Sequence, residues 1–143
     1  MTTRDPGDPH SELVVQAARL VRAIRQQEPV GAHLRVLSIL DQYGALGVTA
    51  LATIDRCTQP TMSAAVSRMV DLGWLTKEPN PEDARGSLVR LTEDGSGELA
   101  RFRAANAGFV AERLAATDHD LADLTAAVAV LRDLLTDPDQ PKE

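Results

Sequence analysis

The clearest periodicity in the chain lies between Thr58 and Trp74, where apolar side chains recur at intervals of three and four residues. These apolar positions are Met62, Val66, Met69, Val70 and Trp74. Such spacing predicts a helix that turns one face towards a core. The opposite face is small and polar, with Thr61, Ala64, Ser67, Arg68 and Asp71. Thr58 is suited to cap this helix, Pro60 to occupy its first turn and Gly73 to end it.

A shorter helix is predicted just before it, capped by Thr49 and running from Ala50 to about Asp55. Its expected inward contacts are Leu51, Ala52 and Ile54. Two short helices joined by a tight turn form the layout of a helix-turn-helix, which places its second helix in the major groove of DNA. The residues predicted to read base edges there are Gln59, Thr61, Ser63, Ala64, Ser67 and Arg68. The alternative is an ordinary amphipathic helix pair in an all-helical core.

The residues after Gly73 predict a β-hairpin. Extended stretches at 75–78 and 87–91 flank residues 79–86, which are dense in turn formers. A hairpin directly after a recognition helix is the wing of a winged helix, and its tip can reach the minor groove. We expect Arg85 to enter that groove, because a guanidinium is attracted by the negative potential of a narrow minor groove. Asp83 is expected to hold the Arg85 side chain by a charge-assisted hydrogen bond.

The segment from Gly73 to Leu99 resembles the wing and following helix start of the multiple antibiotic resistance regulator (MarR) family of winged-helix transcription factors. The matching elements are Gly73-Trp74-Leu75, Pro81-Glu82-Asp83-x-Arg85, Leu91-Thr92-Glu93-x-Gly95 and, at the start of the recognition helix, Gln59-Pro60-Thr61-Met62-Ser63. The resemblance implies a mainly α fold with a small β-hairpin wing. In that fold a winged helix-turn-helix is flanked by N- and C-terminal dimerisation helices.

Two features depart from the family pattern. The wing of the family commonly carries consecutive arginines after the aspartate, whereas here Ala84 precedes and Gly86 follows a lone Arg85. The predicted recognition helix has Arg68 as its one cation. Phosphate contacts are therefore expected from backbone N–H groups and from Arg56, Lys77 and Arg90.

Further apolar stripes predict helices on both sides of this winged helix. Helices are expected over 12–27 and over 32–43, the second burying Leu34, Leu37, Ile39 and Leu40. Thr92 should cap a long helix whose stripe comprises Leu99, Phe102, Phe109, Val110 and Leu114. A last helix should begin near Asp118, with a narrow seam of coiled-coil type at Leu121, Leu124, Val128, Leu131 and Leu135.

The length of 143 residues fits one domain with a substantial core. We expect a flexible arm at residues 1–11 and a single MarR-like domain at 12–143. Its winged-helix core should cover about 32–91, and its dimerisation helices about 12–27 and 93–136. The terminal helices have apolar surface left over once the core is packed, so they are predicted to form a homodimer. The family resemblance implies the same.

A dimer would place two recognition helices on a pseudo-palindromic operator in double-stranded DNA, with half-sites roughly 34 Å apart. The resemblance implies a transcriptional repressor that a small aromatic or phenolic ligand releases from DNA. The sequence does not identify this ligand. The side chains that could approach its cleft are His33, Arg35, Tyr43 and Trp74, for which packing or surface roles are the simpler interpretation.

The formal net charge of −6 argues at first against a nucleic-acid partner. The acids are concentrated, however, because residues 117–143 hold seven of them against Arg132 and Lys142. Residues 56–90, which include the expected DNA-binding face, hold five cations against four acids. No signal peptide or apolar run of membrane-spanning length is visible, so we expect a cytoplasmic protein with no membrane partner.

Few residues suggest chemistry beyond binding. The single cysteine, Cys57, permits a redox-responsive regulator as one alternative, which would need an exposed, activated thiolate. The histidines His10, His33 and His119 match no metal-binding pattern, and no phosphate loop or nucleophile elbow is present. We therefore expect no enzymatic activity, no cofactor and no metal. A second alternative is a winged-helix protein-interaction module without DNA binding, which the weakly basic recognition face favours.

Overall fold

The computed structural model describes residues 7–27 and 32–136 of the chain. Within these ranges the elements are α1 (Pro9–Gln27), α2 (Ala32–Tyr43), β1 (Leu46–Gly47), α3 (Val48–Asp55), α4 (Gln59–Asp71), β2 (Leu75–Asn80), β3 (Asp83–Leu91), α5 (Glu93–Ala115) and α6 (Leu121–Leu135). The strands form one antiparallel sheet in the order β1-β3-β2. These elements confirm the predicted mainly α fold with a β-hairpin wing.

The chain divides into two compact units, residues 1–104 and residues 105–143. The core of the first unit draws side chains from α2, α3, α4, β2, β3 and the start of α5. Its members are Val36, Leu37, Leu40, Leu51, Ala52, Met62, Val66, Met69, Leu75, Val89 and Leu99. This core joins the helix-turn-helix to the hairpin, which is the packing of a winged helix.

Helix α4 follows the sequence-based prediction closely. Its buried face holds Met62, Val66 and Met69, and the Thr58 Oγ1 accepts the Thr61 N–H at 3.3 Å as an N-cap. The helix exit passes through Gly73, whose φ of +79° lies in the left-handed region that favours glycine. The predicted cap and stop of this helix are both confirmed.

Helix α3 begins earlier than predicted, and Thr49 does not cap it. The helix starts at Val48 with Gly47 as its N-cap, and no side chain forms a capping hydrogen bond there. The cause is strand β1, in which Gly47 pairs with Leu88, so the chain leaves the sheet directly into the helix. The prediction for Ile54 was also wrong, because this side chain is 41% exposed and lies beside the face that Leu51 and Ala52 bury.

The hairpin is more regular than predicted. Residues 79–86 were expected to form a long tip, but β2 extends to Asn80 and β3 starts at Asp83, with a register irregularity after Pro79. The tip is therefore a turn at residues 81–82. Two side-chain acceptors stabilise it, since the Asn80 Oδ1 accepts the Glu82 N–H and the Asp83 Oδ1 accepts the Arg85 N–H, each at 3.0 Å.

Helix α1 begins at Pro9, three residues before its predicted start, because the Asp8 carboxylate accepts the backbone N–H groups of His10 and Ser11. The last part of the predicted flexible arm is therefore helical, while residues 1–6 lie outside the described residues. Helix α2 has its predicted bounds. Of its predicted buried residues, Leu37 and Leu40 are buried and Leu34 and Ile39 are half-buried, whereas the buried Val36 was not predicted. Pro29 and Gly31, which separate the two predicted helices, also lie outside the described residues.

The start of α5 is hydrogen-bonded to the residues that follow α4. As predicted, Thr92 caps the helix, since its Oγ1 accepts the Gly95 N–H at 3.0 Å. The same hydroxyl donates to the Gly73 carbonyl oxygen at 2.6 Å, and the Thr92 N–H donates to the Trp74 carbonyl oxygen at 3.1 Å. These bonds hold the two ends of the hairpin together, because Leu75 pairs with Leu91 at its base.

The second unit contains the end of α5 and all of α6. Helix α6 begins at Leu121, later than the predicted start near Asp118, with a capping box between Asp120 and Asp123. The Asp120 backbone N–H, together with the His119 side chain, holds the pKa of Asp123 below its ordinary value of 3.8. Of the predicted seam, Leu124 is half-buried and the other members are exposed. Within the two described ranges, every helix is too short or too polar to span a membrane.

Because α5 lies so close to the exit of α4, adding a single methyl group at Gly95 should strongly destabilise the fold. A Cβ at Gly95 would lie 2.1 Å from the Trp74 carbonyl oxygen, so Gly95→Ala must displace backbone. We expect a loss of at least about 1–3 kcal/mol in the free energy of unfolding, measured with urea. Gly97→Ala is the matched control, since nothing lies within 4 Å of its Cβ, and alanine there should add up to about 1 kcal/mol. Equal urea midpoints for the two variants would contradict this packing.

Candidate nucleic-acid interface

An open groove of about 650 Å³ lies between the starts of α3 and α4 and one face of the hairpin. Its lining residues are Gly47, Val48, Thr49, Ala50, Gln59, Ser63, Lys77, Asn80, Asp83, Arg85, Gly86 and Ser87. The groove therefore brings together four residues of the predicted DNA-binding set from two elements, Gln59 and Ser63 of α4 and Asp83 and Arg85 of the hairpin. Lys77, a predicted phosphate contact, lines it as well.

The remaining predicted base-reading residues lie on α4 outside the groove lining. They are Thr61, Ala64, Ser67 and Arg68, and all four are exposed. Their side chains are short apart from Arg68, so a partner can approach the helix backbone closely along this face. Since α4 is anchored by three buried side chains on its other side, this polar face is presented on a rigid support.

The predicted contact between Asp83 and the Arg85 side chain is not formed. Instead, the Asp83 Oδ1 accepts the backbone N–H of Arg85 at 3.0 Å. The prediction failed because a carboxylate two residues before a backbone N–H readily closes a local turn with it. Arg85 takes part in none of the ion pairs within the described ranges, so its guanidinium remains available to a partner.

Asn80 also lines the groove, although its sequence position predicts only a turn residue. It faces Asp83 in the hairpin register, and its Oδ1 is occupied by the Glu82 N–H. This bond fixes the amide, because the oxygen must point to the turn and the NH₂ group must point away from it. The signal in the sequence was weak, since asparagine is common in turns for purely local reasons.

The structure separates Arg90 from the groove. Neighbouring residues of a strand project to opposite faces, and Lys77 pairs with Val89, so Arg90 lies on the other face of the hairpin from Lys77. There its Nε is 3.5 Å from the Glu78 Oε2. Arg56 is exposed and ends α3 in a left-handed conformation with φ of 55°. Neither arginine lines the groove.

Arg35 connects α2 to α3. Its guanidinium donates to both oxygens of Asp55, at 2.9 and 3.4 Å, and these bonds raise the pKa of Arg35 further above its ordinary value. The Asp55 side chain is only 7% exposed, so this ion pair satisfies a carboxylate that is nearly buried. Arg35 therefore has a packing role, as the simpler interpretation expected.

The remaining candidate side chains, His33, Tyr43, Trp74 and Cys57, do not line the groove. The His33 and Trp74 rings meet edge to face with centroids 6.3 Å apart, and Tyr43 is exposed. Cys57 is a half-buried free thiol. Within residues 7–27 and 32–136, no group of three or more histidine, cysteine or acidic side chains could hold a metal ion.

The sequence of this winged helix matches known regulators. Residues 32–87 match the family model described as the MarR family. A helix-turn-helix (HTH) transcriptional regulator of Mycobacterium bovis is 30% identical over 131 residues, which cover 89% of this chain and 92% of that protein. This chain belongs to the MarR family. It is therefore an HTH transcriptional regulator, and the expectation that it is not an enzyme is confirmed.

A second relative of this MarR-family chain is the HTH-type transcriptional repressor IacR of Pseudomonas putida. It is 30% identical over 94 residues, which cover 66% of this chain and 54% of that protein. The match thus includes about half of IacR.

Solved structures agree on the fold. A MarR family protein from Bacillus stearothermophilus superposes with a TM-score of 0.68 at 21% identity, covering 94% of this chain and 95% of that one. BpsR of Bordetella bronchiseptica, whose DNA binding is regulated by 6-hydroxynicotinic acid, gives a TM-score of 0.62 at 21% identity, covering 96% of this chain and 100% of that one. These likenesses show the winged-helix fold.

Proposed function

We propose that this MarR-family regulator is a homodimeric repressor that binds a pseudo-palindromic operator and is released by a small aromatic ligand. The observation that carries the DNA-binding part is the groove in which Gln59 and Ser63 of α4 face Lys77 and Arg85 of the hairpin. This arrangement supports simultaneous contact of one protomer with base edges and with the adjacent sugar-phosphate backbone.

In this proposal α4 enters the major groove. Its exposed or half-exposed residues Gln59, Thr61, Ser63, Ala64, Ser67 and Arg68 supply the donors, acceptors and methyl groups that major-groove readout uses. Arg85 enters the minor groove. Its guanidinium forms no ion pair within the described residues, so no internal bond has to break when it binds DNA. Asp83 supports this role indirectly, by fixing the backbone at Arg85.

Phosphate contacts come mainly from Lys77, Arg56 and backbone N–H groups. Arg90 has less support than the sequence indicated, because it lies on the opposite face of the hairpin and pairs with Glu78. With so few cations, each protomer neutralises few phosphates, and each contact contributes a slope of about −0.9 to the dependence of log affinity on log salt. The affinity should therefore depend on base and minor-groove contacts to an unusual degree.

The exposed apolar side chains of the terminal helices support the homodimer. Neither α1 nor α6 has a buried residue. Their large exposed apolar residues are Leu13, Val14, Leu20, Val21, Leu121, Val128, Val130, Leu131, Leu134 and Leu135. Apolar surface of this extent on two helices is typical of a protein interface.

The relatives support repression and ligand control. IacR, which shares 30% identity over 94 residues, is a repressor, and the DNA binding of BpsR, a protein of the same fold, is regulated by an aromatic acid. An aromatic ligand would weaken DNA binding if it favoured a spacing of the two recognition helices that the operator does not accept.

The DNA-binding proposal predicts a specific loss in Arg85→Ala. We expect its affinity for a duplex from the upstream region of the gene to fall by about 1–3 kcal/mol relative to wild type, measured by fluorescence anisotropy. Arg103→Ala is the matched control, because it also removes one cation, but from a surface pair with Asp41 outside the groove lining. Wild-type binding no tighter than to random duplex at low salt would contradict this proposal and favour a protein-interaction module.

The dimer proposal predicts a light-scattering mass at micromolar concentration of twice the 15.4 kDa chain. Leu131→Glu, within the seam of α6, should shift the mass towards one chain, because a carboxylate would have to be desolvated at the interface. Ala126→Glu, on the opposite side of the same helix, should leave the mass unchanged. A monomer mass for the wild-type protein would refute the dimer.

The ligand proposal predicts release of the bound duplex by at least one member of a panel of hydroxybenzoic and hydroxynicotinic acids. Because coupling between two sites is reciprocal, the duplex should weaken binding of that compound by the same factor. Calorimetric titration of the protein with the compound, with and without duplex, measures the effect of DNA on the compound. Duplex anisotropy with and without the compound measures the reciprocal effect. Unchanged anisotropy with every compound up to its solubility limit would count against ligand control.

A further inference from the structure

The hairpin carries a bulge that lies against Asn80. In the pairing of β3 with β2, residues 84–86 of β3 have no partner, and Arg85 is the middle residue of this unpaired segment. A bulge of this kind redirects the side chain that it carries. A Cβ at Gly86 would lie 4.0 Å from the Asn80 Cβ. The Asn80 side chain is therefore a close neighbour of the segment that presents Arg85.

The Asn80 amide has one end bonded and the other end free. Asn80 is half-buried, and its Oδ1 accepts the Glu82 N–H at 3.0 Å. Within the described residues, its NH₂ group has no hydrogen-bond partner. A backbone N–H can bond only to the amide oxygen, and an amide nitrogen can only donate. The chemistry of the bond therefore identifies the free end of Asn80 as a pair of N–H donors.

The NH₂ end of the amide is the end nearer the groove. Asn80, Asp83 and Arg85 line the groove, whereas Glu82 does not. The oxygen and the nitrogen of an amide lie on opposite sides of its carbon atom, so a side chain whose oxygen is held towards Glu82 turns its nitrogen the other way. A partner that enters the groove beside Arg85 thus meets two donors that carry no charge.

We propose that the Asn80 amide donates a hydrogen bond to a base edge in the minor groove beside Arg85, and so selects against guanine at that base pair. Every base pair presents acceptors in the minor groove, but a guanine-cytosine pair adds the guanine N2 amino donor. Two donors that face each other cannot bond. Arg85 responds to the width and negative potential of the groove, so Asn80 adds a second, chemical criterion to the wing. This role rests on the proposed DNA binding.

The test uses duplexes that the wild-type protein enriches from a random pool, so no operator need be known. Each base pair of the enriched sequence is replaced in turn by guanine-cytosine and by inosine-cytosine. Inosine lacks the N2 amino group of guanine and leaves the major-groove edge unchanged. At one or more pairs of each half-site, the wild-type protein should bind the inosine duplex roughly tenfold more tightly than the guanine duplex, measured by fluorescence anisotropy.

The decisive variant combines Asn80→Asp with Glu82→Gln. The aspartate keeps an acceptor for the N–H of residue 82 but has no hydrogen to donate, and the glutamine restores the net charge of the tip. Because a carboxylate can accept from the guanine N2 amino group, the preference for inosine should disappear or reverse. Glu82→Gln alone is the matched control and should retain the preference, since the Glu82 side chain forms no ion pair within the described ranges.

Three results would contradict the proposal. An inosine preference of unchanged size in the combined variant would overturn the role of Asn80. Equal binding of the inosine and guanine duplexes by the wild-type protein at every pair would overturn readout of a base edge, and a uniform loss of affinity in the combined variant would then assign the amide to a phosphate. Failure of the wild-type protein to enrich any sequence would instead refute the proposed function itself.

Discussion

The winged helix depends on the contact between the first turn of α5 and the exit of α4. At this point the Thr92 hydroxyl and N–H bond to two successive carbonyl groups, and Gly95 has no side chain to hold the backbones apart. Strand β2 starts immediately after this contact and β3 ends immediately before it. The hairpin is therefore closed at its base, and these backbone contacts add to the shared side-chain core in setting its position relative to α4.

This constraint explains how a chain with few cations can present the groove that we propose as its DNA-binding face. Arg85 and Lys77 lie beside Gln59 and Ser63 because the angle between the hairpin and α4 is fixed. This placement does not depend on the number of cations in the chain. Three arginines outside the groove are paired with acids, since Arg35, Arg90 and Arg103 contact Asp55, Glu78 and Asp41. Arg85 and Lys77 of the groove, by contrast, form no ion pair within the described residues.

The sequence predicted best what depends on neighbouring residues. The bounds of α2 and the cap and exit of α4 follow from side chains within one or two turns. Features that depend on distant pairing were missed: a strand of two residues, β1, has no periodicity of its own, yet it moves the start of α3 to Val48. The separation of Arg90 from the groove likewise depends on hairpin register. Asn80 could not be assigned to the groove for the same reason.

At Arg56, folding stability and the positive charge of the turn favour different residues. A left-handed conformation at a residue other than glycine is disfavoured by roughly 1–2 kcal/mol, and Arg56 adopts it to end α3 two residues before the Thr58 cap. Glycine would relieve the strain but remove a positive charge from the turn of the helix-turn-helix. Substitutions at this position would therefore not rank in the same order for folding stability and for surface potential.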